Sequence, residues 1–263
     1  MRVWLAAADL ENLSLPLDSY IPDGTAISTL ERAQSIMFAQ CMKRFGFDLS
    51  APEPKLRPAK RNQERYGLAD ENQAKLTGYR PAASRPKPPH VAPTDLGPNA
   101  EAVAEGTGQR TYQGQSVPND GCLGEARRKL LDGAPASKNP DLAIGLAGAS
   151  FEESQQDSRT KKVFLEWRSC MKEAGYDYES PRDPNNDPAL AGRQEPSALE
   201  IAVATTDVRC KAKVDLISVW ASVEAAYQQR AVETKSQELA IVKKQLEIQL
   251  RNAANILAGV TGR

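Results

Sequence analysis

Phe38-Ala39-Gln40-Cys41-Met42-Lys43-Arg44-Phe45-Gly46-Phe47-Asp48 returns 129 residues later as Trp167-Arg168-Ser169-Cys170-Met171-Lys172-Glu173-Ala174-Gly175-Tyr176-Asp177. Cys, Met, Lys, Gly and Asp are identical in the two copies, and the first and tenth positions are aromatic in both. Each copy reads as the last turns of an amphipathic helix, followed by a glycine where the chain needs positive φ and an aromatic that folds back on the last turn. Ile27, Leu30, Met37, Phe38, Cys41 and Phe45 form one apolar stripe, and Val163, Phe164, Trp167, Cys170, Met171 and Ala174 form the other. The cysteine of each copy therefore lies on a buried face.

Four cysteines, Cys41, Cys122, Cys170 and Cys210, stand too far apart for a zinc knuckle or a C-x-x-C redox pair. An even set of isolated cysteines suits structural disulfides, which belong to oxidising compartments. Cys122 opens a short helical run ending at Leu131, and Cys210 sits early in the long terminal helix. Of the three connectivities, Cys41 to Cys122 with Cys170 to Cys210 gives each copy its own helix-to-helix bridge.

Outward from the repeat, Ala51 to Asn119 is proline-rich and polar, with a short helix expected around Asp70 to Leu76. Pro81, Pro86, Pro88, Pro89, Pro93 and Pro98 speak against helix in the later half. Ser150 with Glu153, and Ser197 with Glu200, have capping-box spacing and predict helix starts, which makes Glu152 and Glu153 first-turn residues. No Gly or Pro interrupts Ser197 to Ala258, so one helix of about 90 Å is expected there. Its distal half carries Leu239, Val242, Leu246, Leu250, Ala253, Leu257 and Val260 at spacings of three and four, a coiled-coil seam that predicts a protein partner or self-association.

The fold expected is all-α: two disulfide-linked helical units with long polar loops and a long C-terminal helix. The divisions are an N-terminal extension over 1–24, a first unit over 25–133 with its proline-rich loop at 80–119, a second over 150–230, and an arm over 231–263.

Composition excludes more than it selects. Lys plus Arg equals Asp plus Glu at 34 each, which removes the basic excess that nucleic-acid binding rests on. The cluster Lys55, Arg57, Lys60, Arg61 and Arg65 reads as a solvated linker, diluted by Glu53 and Glu64. Mean hydropathy is -0.52 and no apolar run reaches the length of a membrane span. Val3 to Ala8 is too short for an export signal and is followed by Asp9 and Glu11, so a signal is expected upstream, the alternative being a cytoplasmic protein.

The only histidine, His90, lies in the linker, so no histidine-based triad or zinc site can be assembled, and no cofactor is expected. Gly106-Thr107-Gly108 lacks the strand and helix of a phosphate cradle. Asp183, Asn185 and Asp187 alternate like calcium ligands, but Pro188 stands where the sharp-turning glycine belongs and Gln194 where the bidentate glutamate does, so a turn is expected without metal. Trp167, Trp220 and Tyr227 read as core.

Leu15-Pro16-Leu17-Asp18-Ser19-Tyr20, Cys41-Met42-Lys43-Arg44-Phe45-Gly46-Phe47, Arg65-Tyr66-Gly67-Leu68 with Gly78-Tyr79, Gly121-Cys122, and Asp207-Val208-Arg209-Cys210 leading into Val219-Trp220 follow one another in an order that resembles a family of uncharacterised actinobacterial exported proteins and lipoproteins. The resemblance implies a cell-envelope or extracellular location and brings no activity or catalytic residues. The function expected is a non-enzymatic binding or scaffold module of the envelope. The alternatives are a secreted hydrolase using carboxylates and a cytoplasmic coiled-coil partner.

Overall fold

A computed structural model describes residue 10 and residues 13–49, 62–80, 97–190 and 195–261. His90, Gln194, Lys55, Arg57, Lys60 and Arg61 fall outside this set. The described chain is all-α apart from one small hairpin. In order it forms a 3-10 turn at Pro16–Tyr20, then α1 (Gly24–Arg44), α2 (Glu71–Thr77) and α3 (Gly97–Glu105). The hairpin pairs β1 (Thr111–Tyr112) with β2 (Gln115–Ser116). After it come α4 (Gly121–Leu130), α5 (Leu142–Gln156), α6 (Ser158–Glu173), α7 (Ala198–Lys213), α8 (Leu216–Thr234) and α9 (Ser236–Thr261).

These elements divide into two interleaved units. The first takes the described residues up to Leu17, residues 62–80 and those from 144 to 234; the second takes residues 18–49, 97–143 and 235–261. Two segments fall outside the divisions expected from sequence. Residues 62–80 belong with α6 to α8, and the arm belongs with α1 and α4.

One copy of the repeat lies in each unit, and the two end alike. Gly46 and Gly175 have φ of 84° and 90°, which an L side chain tolerates poorly. Phe47 N–H bonds the Met42 carbonyl at 3.1 Å, and Tyr176 N–H bonds that of Met171 at 2.9 Å. This is the closure in which the residue after the glycine reaches back to the last turn. Cys41 is bonded to Cys122 in the second unit, joining α1 to α4, and Cys170 to Cys210 in the first, joining α6 to α7.

The first unit is built round Trp167 and Trp220, both fully buried. Tyr66, Phe151 and Phe164 surround the Trp220 ring at centroid distances of 5.1, 5.1 and 4.9 Å, the last edge-on. In the second unit Ala33 and Met37 of α1 meet Ala126 and Leu130 of α4 and Ala253 of α9. Asn252 donates to the free carbonyls of Leu130 and Asp132, both at 2.9 Å, and so closes the end of α4.

Four expectations need correction. The stretch from Ser197 onward is three helices, not one: Asp215 at φ 54° turns the chain between α7 and α8, and α9 begins anew after Lys235. Ser150 starts nothing; it is buried within α5, which leaves Glu152 and Glu153 exposed near that helix's end. The new start is about two turns later, where Asp157 accepts the N–H of Arg159. Pro98, finally, opens α3 instead of forbidding it, since proline fits the first turn, where no backbone donor is needed.

Candidate binding site

The site grows from a run of charged residues on apolar helix faces of the first unit. Glu200, Asp207 and Lys211 lie seven and four residues apart on α7, sharing a face with Val203, Ala204 and Cys210. Glu224 and Gln228 lie four apart on α8. All five are buried, and such burial is tolerated only when each group is paired.

Residues 62–80 supply the pairing. Arg65 grips Glu224 through Nε at 2.9 Å to both carboxylate oxygens and through Nη2 as well, while the Tyr66 hydroxyl donates to it at 2.8 Å. Gln228 donates to the same carboxylate at 2.7 Å, and its own oxygen takes the Leu17 N–H at 3.0 Å. On α7, Asp207 receives Lys211 at 2.8 Å, the Trp167 indole N–H at 2.9 Å and the Tyr79 hydroxyl at 3.2 Å. Glu200 is reached by the Tyr79 N–H at 3.3 Å and by Arg80 at 3.5 Å. Meanwhile Ser197 caps α7 by accepting the Glu200 N–H at 3.1 Å. The predicted capping box is therefore half formed, because its glutamate faces inward to Arg80 instead of back to the cap.

Burial pushes the Asp207 carboxyl above its ordinary value, against the pull of the Lys211 ammonium and of the hydrogen bonds from Trp167 and Tyr79. The Tyr66 and Tyr79 phenols are driven up by burial and then by the carboxylates beside them, so both remain donors. Tyr178, bonded to Asp187 at 2.9 Å, is pushed up to about 12, first by burial and then by that bond.

Above this network opens a cavity of about 560 Å³, within the range of about 300–1,000 Å³ typical of small-molecule sites. Lys211 and Tyr79 line it from α7 and the end of residues 62–80. One wall is the turn and helix start from Gln63 to Gln73, and the other is the loop from Pro181 to Asn186. Arg65 and Arg182 both stand over the Phe151 ring, 4.9 and 5.6 Å from its centroid. Gly67 has φ 80°, and a Cβ there would lie 3.0 Å from Lys211 Nζ; its absence lets the ammonium reach the Leu68 carbonyl at 3.2 Å.

The residues singled out from sequence are placed elsewhere. Leu239 and Val242 are buried and Leu246, Leu250 and Leu257 half-buried, on a helix that packs against α1 and α4 of its own unit, so the seam is largely covered within the chain. Asp183 and Asp187 hold a turn: the first accepts the Ser180 N–H at 2.7 Å, the second that of Ala189 at 2.8 Å. No cluster of metal-ligating residues occurs among the described residues. Arg65, read as solvated linker, is instead a buried-pair partner, since an isolated cluster reading could not see Glu224. The missed residues Tyr66, Gly67, Tyr79 and Asp207 all belong to motifs that carried the resemblance. Comparison with family models, curated proteins and solved structures returned no match.

Proposed function

We propose that the chain is a non-enzymatic binding module working outside the cytoplasm, in the cell envelope or the medium, and that the cavity of the first unit is its binding surface. The observation that carries this reading is the commitment of the buried carboxylates. Glu200, Asp207 and Glu224, the buried carboxylates around the cavity, are each held by a cation and by a tyrosine, which suits a structural role better than acid–base chemistry. Their role is to dock residues 62–80 and fix the cavity's walls. The two disulfides suit an oxidising compartment, and among the described residues no helix is long and apolar enough to cross a membrane. Membership of the exported actinobacterial family is part of the same proposal, supported by the convergence of Arg65, Tyr66, Gly67, Tyr79, Asp207 and Trp220 in one unit.

Fractionation of the native host with non-reducing peptide mapping tests the compartment. Cys41–Cys122 and Cys170–Cys210 linked peptides from envelope or medium are expected. Protein found in the cytosolic fraction with alkylatable thiols overturns the reading.

A further inference from the structure

We infer that the cavity takes a neutral, polyhydroxylated ligand of the saccharide class, one or two rings in size. This deepens the binding-module reading and rests on it. The charges come first. Arg65 and Lys211 are already cancelled by Glu224 and Asp207, and the remaining lining charge is one guanidinium, Arg182, against two exposed carboxylates, Glu64 and Asp70. The net of about one negative charge, spread over exposed groups, is too weak a field to select a charged ligand.

Its hydrogen-bonding groups are of both kinds. The carboxamides of Gln63, Asn72 and Asn185 line it and make no side-chain hydrogen bond among the described residues. Each offers a carbonyl acceptor and an NH₂ donor, the complement of a hydroxyl group that gives and takes one bond. Gln73 and Asn186 each spend one N–H on the carbonyls of Arg80 and Arg182, at 3.0 Å each, and keep their carbonyl oxygen and second N–H. Leu68 and Ala69 on one wall and Pro181 on the other add apolar surface for the C–H groups of a sugar ring.

The frame is set before any ligand arrives. Lys211, Asp207 and Trp167 fix one side, and the opposite loop is held by the bonds of Asp183 to Ser180 and of Tyr178 to Asp187. A preformed polar site loses less ordering entropy on binding, and this matters for weak, solvated ligands.

Heteronuclear NMR titration of the intact, oxidised chain tests the inference, with cellobiose, N,N′-diacetylchitobiose and trehalose as neutral probes and inorganic phosphate and acetate as charged ones. Saturable shifts confined to the amides of residues 63–73 and 182–186 are expected for at least one disaccharide. Asn72→Ala and Asn185→Ala, both at exposed positions, should each weaken that binding by roughly tenfold while leaving the thermal midpoint in place. Absence of saturation with every disaccharide, or stronger shifts at the same amides with phosphate or acetate, overturns it. An envelope protein with intact disulfides that ignores sugars overturns the ligand class alone, whereas a thiol-bearing cytosolic protein that binds one overturns only the compartment.

Discussion

Lys211 meets Asp207 on one turn of α7 with almost no solvent, 2 % and 0 % of their side chains being exposed. Removing one partner of such a pair leaves the other desolvated and alone, which costs about 3–5 kcal/mol. Lys211→Met should therefore destabilise strongly, and with a particular pH dependence. The Asp207 carboxyl is already raised by burial, and loss of the ammonium raises it further. A carboxyl whose folded value lies above its unfolded one contributes stability that is complete below the unfolded value and is lost as pH rises through the folded one. Denaturant midpoints of Lys211→Met should fall more steeply than those of the parent chain as pH rises above the ordinary carboxylate range. Parallel profiles would show that Asp207 does not depend on its lysine. At Gly67, alanine meets both a positive φ and the Lys211 ammonium at 3.0 Å, and a loss of about 1 kcal/mol in denaturant unfolding is expected. These residues were hidden in the sequence because a buried ion pair on a helix is spelled like a surface pair. Only the apolar neighbours on the same face, Val203, Ala204 and Cys210, mark the difference.

Helix ends were legible where they are made by residues that do little else. Gly46 and Gly175 stop α1 and α6, and Ser197 starts α7. The ends that escaped have other causes. Gly145 and Gly148 weaken α5 in any propensity reading, and neither has a neighbour against which a Cβ would press; the helix is anchored further on, where Phe151 stacks on Trp220 and Ser154 accepts the Trp220 indole N–H. The turn from α7 into α8 rests on Asp215 in the left-handed region, a conformation that aspartate visits and that carries no glycine signal. Asp215→Gly should thus hold or gain up to about 1 kcal/mol, while Asp215→Val loses at least that much; urea midpoints decide, and a stable valine variant would mean the turn is not strained. At the next break Asp157 caps α6, bonding the N–H, Nε and Nη2 of Arg159 at 2.9 Å each, and is pulled down to about 2, first by its side-chain bond to that arginine. A lowered carboxyl contributes above its unfolded value, 3.8, and loses that contribution as pH falls toward about 2. Asp157→Ala should cost about 1 kcal/mol near neutral pH and progressively less across that acid interval.

At the scale of the chain, the two units alternate along the sequence, and each closes its own long loop: 81 residues separate Cys41 from Cys122, and 40 separate Cys170 from Cys210. Chain entropy sets an upper estimate of about 4 kcal/mol for each closure. The repeat made the two units visible in the sequence, but not which distant segment completes each, because α9 carries a stripe that would serve a partner chain or an intramolecular core equally well. Leu239 and Ala253, both at 0 % exposure, decide for the core of the second unit, and Asn252 ties the end of α4 to the same helix. Truncation after Thr234 removes α9 and leaves every element of the first unit. The shortened chain should keep the near-UV circular dichroism of buried Trp167 and Trp220 and the protection of α6 to α8 from hydrogen exchange, while α1 and α4 exchange freely and Cys41–Cys122 becomes reducible under mild conditions. Ala253→Arg, which forces a charge into the same packing, should reproduce the effect in the full-length protein. Retained protection of α1 and α4 in both variants would show that α9 is dispensable to the second unit and would return its leucines to the service of a partner.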